Sequence, residues 1–121
     1  MIKNFKKKIV TFGLVSMMTL GLSISALAAS QPLNGGGATW SGGENSSRII
    51  YSQIVDNAND GLRHKATVWV QNDAGGYNSK TATTTGVGTS GRVRTTIGAS
   101  HSNPLVVEKA GYKNYVVVKT K

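Results

Sequence analysis

Apolar and polar residues in this chain alternate with a period of two in short runs. Clusters of Gly, Asn and Asp break the runs roughly every ten residues, and no segment carries the three-to-four spacing of a helical stripe. In HKATVWVQ (64–71), Ala66, Val68 and Val70 share one face and Thr67 and Trp69 the other. RIIYSQIV (48–55) sets Ile49, Tyr51 and Val55 against Ile50 and Ile54. SKTATTT (79–85) and RVRTTIG (92–98) read as polar, threonine-rich strands, and NYVVVKT (114–120) as the most apolar one. A shorter strand is expected around Thr39 to Ser41, while 104–107 is ambiguous and 106–110 holds one helical turn at most. Asn59-Asp60-Gly61, Asp73-Ala74-Gly75-Gly76, Gly86-Val87-Gly88 and Ser90-Gly91 supply the turns. Such a pattern predicts an all-β chain, a small antiparallel sandwich.

The first 28 residues read as a secretory leader. Lys3, Lys6, Lys7 and Lys8 precede an apolar stretch that closes on the small residues Ala26-Leu27-Ala28, so cleavage is expected after Ala28 or Ala29 and the product is expected to be secreted. The stretch carries Thr11, Ser16, Thr19, Ser23 and Ser25, which makes it a poor permanent membrane span. Four of the fourteen Lys and Arg lie in this segment and none of the five acids does, which leaves a net charge near +5 beyond it. That balance suits anionic envelope polymers or lipid headgroups. The basic residues are too scattered for a nucleic-acid footprint.

No cysteine is present, so an exported chain of this size has no disulfide to offset a small core. Its stability must come from packing and backbone hydrogen bonds in one domain. The expected division is a leader at 1–28, a glycine-rich N-terminal segment at 29–47 carrying Trp40, and the sandwich proper at 48–121. The core set is Ile49, Ile50, Tyr51, Ile54, Val55, Val68, Trp69, Val70, Val93, Ile97, Tyr115, Val116, Val117 and Val118. This is thin at about 1.5–3 kcal/mol per fully buried large side chain. Trp40, in GGGATWSGG, is therefore expected to fold back over an open end of the sandwich or to meet a ligand.

Catalytic and metal signatures are weak. DNANDG (56–61) lacks two of the oxygen ligands of a calcium loop and reads instead as a hairpin connection built on Asp60-Gly61. His64 and His101 are the only histidines; no Gly-x-Ser-x-Gly elbow accompanies them, and the pair lacks a third metal ligand at suitable spacing. Glu44 or Glu108 would need a distant Asp to form a catalytic pair. No enzyme, metal or cofactor is expected. Arg92 and Arg94 point to one face of a strand and can grip phosphate bidentately, or simply solvate that face. Trp40 and Trp69 can form an amphipathic patch beside basic residues if Trp69 faces outward; alternatively Trp69 faces inward and the valines of its strand lie outside.

Gly36-Gly37-Ala38-Thr39-Trp40, then Gly42-Gly43, the pair Tyr51-Ser52, His64-Lys65-Ala66-Thr67-Val68 and the closing Ala110-Gly111-Tyr112-Lys113-Asn114 follow one another in an order that resembles the lactococcin 972 type of secreted bacteriocin. The resemblance spans about Gly35 to Tyr115. It implies two three-stranded antiparallel sheets and an antibacterial role through binding of the wall precursor lipid II, which blocks septum formation without pores. This chain departs from the pattern in having one histidine where the family tends to have several, and in its valine-rich tail from Val116. The expected partner is a wall precursor or anionic envelope polymer of a target bacterium, met peripherally. Trp40, His64, Trp69, Arg92 and Arg94 are its expected contacts.

Overall fold

A computed structural model describes residues 28–103, 105 and 107–119; apart from Ala28, the expected leader lies outside the described residues. Seven strands form two sheets: β1 (Ala28–Leu33), β2 (Ala38–Glu44), β3 (Ile49–Asp56), β4 (Leu62–Gln71), β5 (Tyr77–Thr83), β6 (Val93–Gly98) and β7 (Lys109–Lys119). The first sheet runs β1-β2-β3-β6 and the second β5-β4-β7, every pairing antiparallel. The all-β sandwich stands as expected, but its sheets hold four and three strands rather than three each. The additional strand is β1, in which Ala28 closes the expected leader and residues 29–33 open the expected glycine-rich segment, with no β-former run to announce it.

The period-two pattern places the core. In β3, Ile50, Ser52, Ile54 and Asp56 are buried and the residues between them half-buried. In β4, His64, Ala66, Val68 and Val70 face inward, so the valines are core and Trp69 stands outside. Leu33, Ala38, Trp40 and Val93 from the first sheet meet Ala110, Tyr112 and Tyr115 from the second. Residues 29–47 are thus no separate segment, since they contribute two strands and the largest buried side chain.

The glycines around Trp40 have a local purpose. A Cβ at Gly42 would lie 2.5 Å from Trp40 Cζ2 and 3.0 Å from the Tyr51 carbonyl oxygen, so only glycine lets the indole lie along its own strand. The ring is 1% exposed. It meets Tyr112 at 6.0 Å between centroids, and its Nε1 donates to Ser52 Oγ at 2.9 Å. The Ser52 hydroxyl in turn donates a hydrogen bond to the Gly111 carbonyl oxygen at 2.6 Å, which ties β3 to β7 across the two sheets. Trp40 is therefore an interior strand residue with a satisfied N–H, not a flap over an open end.

Two other expectations change. Val116, Val117 and Val118 are 45%, 38% and 38% exposed rather than core. A bulge, with Asn114 at φ 56, shifts the register of β7 against β4 between Lys65 and Thr67. Past it, β7 pairs with Leu62 to Lys65, and β5 reaches only Lys65, so the valines lie on a ribbon largely two strands wide. Asp60-Gly61 is not a hairpin either. Gly61 does adopt φ 77, but the connection carries the chain from one sheet to the other. At the β6 edge, Asn78 and Asn72 side-chain amides donate to the carbonyls of Thr96 and Gly98, both at 2.9 Å. Those groups would otherwise offer an edge for a further strand.

Candidate functional site

Alternation puts Tyr51, Gln53 and Arg94 on the outer face of the first sheet because Ile50, Ser52, Ile54, Val93 and Thr95 occupy its inner face. Antiparallel register aligns Ser30, Ser41, Gln53 and Arg94 in one rung across four strands. Gln53 organises the rung. Its Nε2 donates to Ser41 Oγ at 3.1 Å, and its Oε1 accepts from Arg92 at 3.0 Å and Arg94 at 2.8 Å. The Arg94 guanidinium also lies 4.9 Å from the Tyr51 ring centroid. Burial, and then the neighbouring Arg92 charge, draw the Arg94 guanidinium below its ordinary value, although an arginine stays protonated. Among the described residues neither arginine meets a carboxylate. Two cations held against one amide oxygen, with donors to spare, form a platform for an anion.

Trp69 lies on the opposite side of the molecule, on the outer face of the second sheet. Its ring stacks on Tyr77 at 6.4 Å and 18°. It lies over Gly111, where a Cβ would come within 2.7 Å of it. Lys109 and Lys113 flank Gly111 on the same face of β7. The two tryptophans therefore share no patch: one is core, the other sits on the outer face of the second sheet.

His64 is wholly buried and cannot touch a ligand on the surface. Its Nδ1 pairs with the Tyr115 hydroxyl at 2.8 Å, the rings stack at 5.8 Å, and Nε2 lies 3.7 Å from Asp56 Oδ1. Burial lowers the imidazole below its ordinary value and prevails over the nearby Asp56 charge. Asp56 in turn receives Arg63 at 2.9 Å and the Ala58 amide at 3.2 Å. Burial likewise raises the Tyr112 hydroxyl to about 12, and it raises Tyr115. Of the five residues expected to bind, the fold thus brings only Arg92 and Arg94 together.

A different cluster was not legible in the chain. Glu44 at the end of β2, Glu108 just before β7 and His101 in the β6–β7 connection converge at one end of the sandwich. A ligand atom from each lies within 4.8 Å of the others. His101 Nε2 is 2.9 Å from Glu44 Oε2 and 3.5 Å from Glu108 Oε1. Glu108 Oε2 accepts the amides of Ser100 at 2.7 Å and His101 at 3.4 Å. Burial pushes the Glu108 carboxyl above its ordinary value, and Glu44 adds to the effect against the Ser100 amide and His101. Asp73 lies close by in the β4–β5 connection. Although burial opposes its ionised form, it is held below its ordinary value by the Asn103 amide, the Ser100 hydroxyl and the Ser102 amide. No spacing rule joins Glu44 to His101 and Glu108, because the end of β2 and the β6–β7 connection, far apart in the chain, meet only in the fold; the isolated acids and the second histidine were the only available signal.

No protein-family model, curated protein or solved structure matches this chain.

Proposed function

We propose that the protein is exported and acts at a bacterial envelope as a non-enzymatic binder of an anionic wall precursor such as lipid II, withholding it from wall synthesis in related bacteria. The observation that carries this reading is the Arg92–Gln53–Arg94 arrangement, in which two guanidiniums share one amide oxygen on an open sheet face and, among the described residues, meet no carboxylate. Guanidinium forks match the geometry of a pyrophosphate, and a rigid sheet fixes them in advance of binding. The resemblance to lactococcin 972-type bacteriocins points to the same ligand. Of the residues first expected to touch it, Arg92 and Arg94 remain contacts, with Tyr51 and Gln53 beside them; Trp40 and His64 support the sandwich from inside.

A second reading is a wall-associated module that kills nothing and holds an anionic envelope polymer. The Trp69–Tyr77 stack beside Lys109 and Lys113 favours it. Cationic and aromatic surfaces on opposite sheets suit a long polymer that meets both better than one small headgroup.

Calorimetric titration with lipid II in micelles, against micelles carrying an anionic phospholipid of matched charge, separates these readings. Saturable binding to lipid II alone is expected, and Arg92→Gln with Arg94→Gln should weaken it by at least about tenfold, the worth of one charge-assisted hydrogen bond. Equal binding to both micelles, or none to either, overturns the precursor reading.

A further inference from the structure

The cluster at the loop end of the sandwich poses a charge problem that the protein's own groups leave open. Glu44 and Glu108 side chains are 1% and 3% exposed, yet among the described residues the only basic side chain paired with them is His101, itself 33% exposed. Glu44 Oε1 and Glu108 Oε1 are both buried without a hydrogen-bond partner. An ionised carboxylate in such a place needs a cation or several donors. A proton shared between Glu44 and Glu108 is the protein's own way to ease this charge, and it agrees with the raised Glu108 carboxyl; a bound cation in the proton's place would match both carboxylates at once.

We infer that Glu44, His101 and Glu108 form a binding site for one divalent transition-metal ion, with Zn2+ the best match to its donors. Three protein ligands, one nitrogen and two oxygens, make a zinc-type set with a fourth position left for water or another ligand. Donors on a tetrahedral ion with bonds of ~2.0 Å lie roughly 3.3 Å apart. The imidazole nitrogen lies 2.9 Å and 3.5 Å from its two carboxylates, and all three donor atoms lie within 4.8 Å of one another, so a tightening of the cluster around an ion reaches that spacing. Calcium and magnesium fit poorly, because they call for about six oxygen ligands.

The surroundings resemble the support that metal ligands commonly receive. The Ser100 and His101 amides both bind Glu108 Oε2, which fixes the carboxylate and leaves Oε1 turned to the cluster. His101 adopts φ 54, a left-handed conformation uncommon outside glycine, and in it the imidazole reaches Glu44 across 57 positions of sequence. An ion here would pin the β6–β7 connection to the end of β2. Its fourth position would open beside the exposed edge of His101, independently of the arginine platform on the outer sheet face.

The test uses protein purified after expression of the full chain, freed of metal with a chelator and titrated calorimetrically with Zn2+, Mn2+ and Ca2+. One equivalent of Zn2+ should bind, with weaker Mn2+ binding, no Ca2+ binding and a raised melting temperature. His101→Ala should lower Zn2+ affinity by at least about tenfold, as loss of a direct ligand must exceed loss of a supporting group. Because His101 is a partly exposed connection residue, this variant should keep the wild-type circular dichroism, and His64→Gln serves as a control that retains zinc binding. Substituting Co2+ should give the visible absorption of a four-coordinate site in wild type and lose it in Glu44→Gln. No saturable binding of Zn2+ or Mn2+ at up to about 1 mM, a range that includes weak sites, overturns the inference. So does zinc binding that His101→Ala leaves unchanged.

Discussion

The two ends of this sandwich bury carboxylates in opposite ways. Asp56 lies level with Ala38 at one end of β2, and Glu44 closes the other. At the first end the acid is fully buried, but Arg63 lies 2.9 Å away, the Ala58 amide donates to it and His64 stands behind it. At the second end two glutamates share one half-exposed histidine and keep two oxygens without partners. The difference lies in which cation each end relies on. Arginine is permanently charged and its guanidinium supplies several donors, so the Asp56 carboxylate is matched, although His64 Nε2 beside it has no hydrogen-bond partner. Histidine carries a conditional charge and little donor capacity, so the Glu44 end is poised to take something else. Buried charge that is matched reads as architecture; buried charge that is not matched reads as a site.

The contrast can be broken by removing one acid from each end. Asp56→Asn should lower unfolding free energy by about 3 kcal/mol, because it leaves Arg63 without its counter-charge in a largely buried setting. Urea unfolding measures this, and a cost no larger than that of a surface substitution would mean that the first end is not held by the pair. The pH dependence should come next in size. His64 is held below its ordinary value of 6.5, with Asp56, Asp60, Arg63 and Tyr115 facing it. Below that pH the unfolded chain binds more protons than the folded one, so stability should fall as pH drops through about 6.5. Unfolding midpoints at about pH 7.5 and about pH 5.5 should differ in wild type and converge in His64→Gln. Smallest of the three is Glu44→Gln in the presence of a chelator. The amide relieves a carboxylate pair and offers a donor to Glu108, so the change should stay within about 1 kcal/mol. A loss as large as that of Asp56→Asn would erase the distinction between the two ends.

Much of the framework is legible in the chain because alternation is a local property. Ile50 and Ile54, Val68 and Val70, and Val93 with Thr95 each sit two or four positions from their partner, and any antiparallel sheet gives such a set one face. Polar Thr-rich runs still form strands at β5 and β6, where β-branching fits the pleated backbone whatever the polarity. The valine run from Val116 misleads for the same reason that alternation helps. Composition records affinity for burial, but not whether a second sheet extends far enough to provide it.

Sequence alone determined the class of fold, which residues of β3, β4 and β6 share a face, and the placing of Arg92 and Arg94 on one face of a strand; which face turns inward it left open. These depend on neighbours along the chain. Only the tertiary structure decided that Trp40 lies inside over Gly42, that Trp69 and the arginines stand on opposite sheets, and that Glu44, His101 and Glu108 meet. Those facts depend on which sheet each strand joins and where each connection lands. They are set by long-range register, and no local period in the sequence records it.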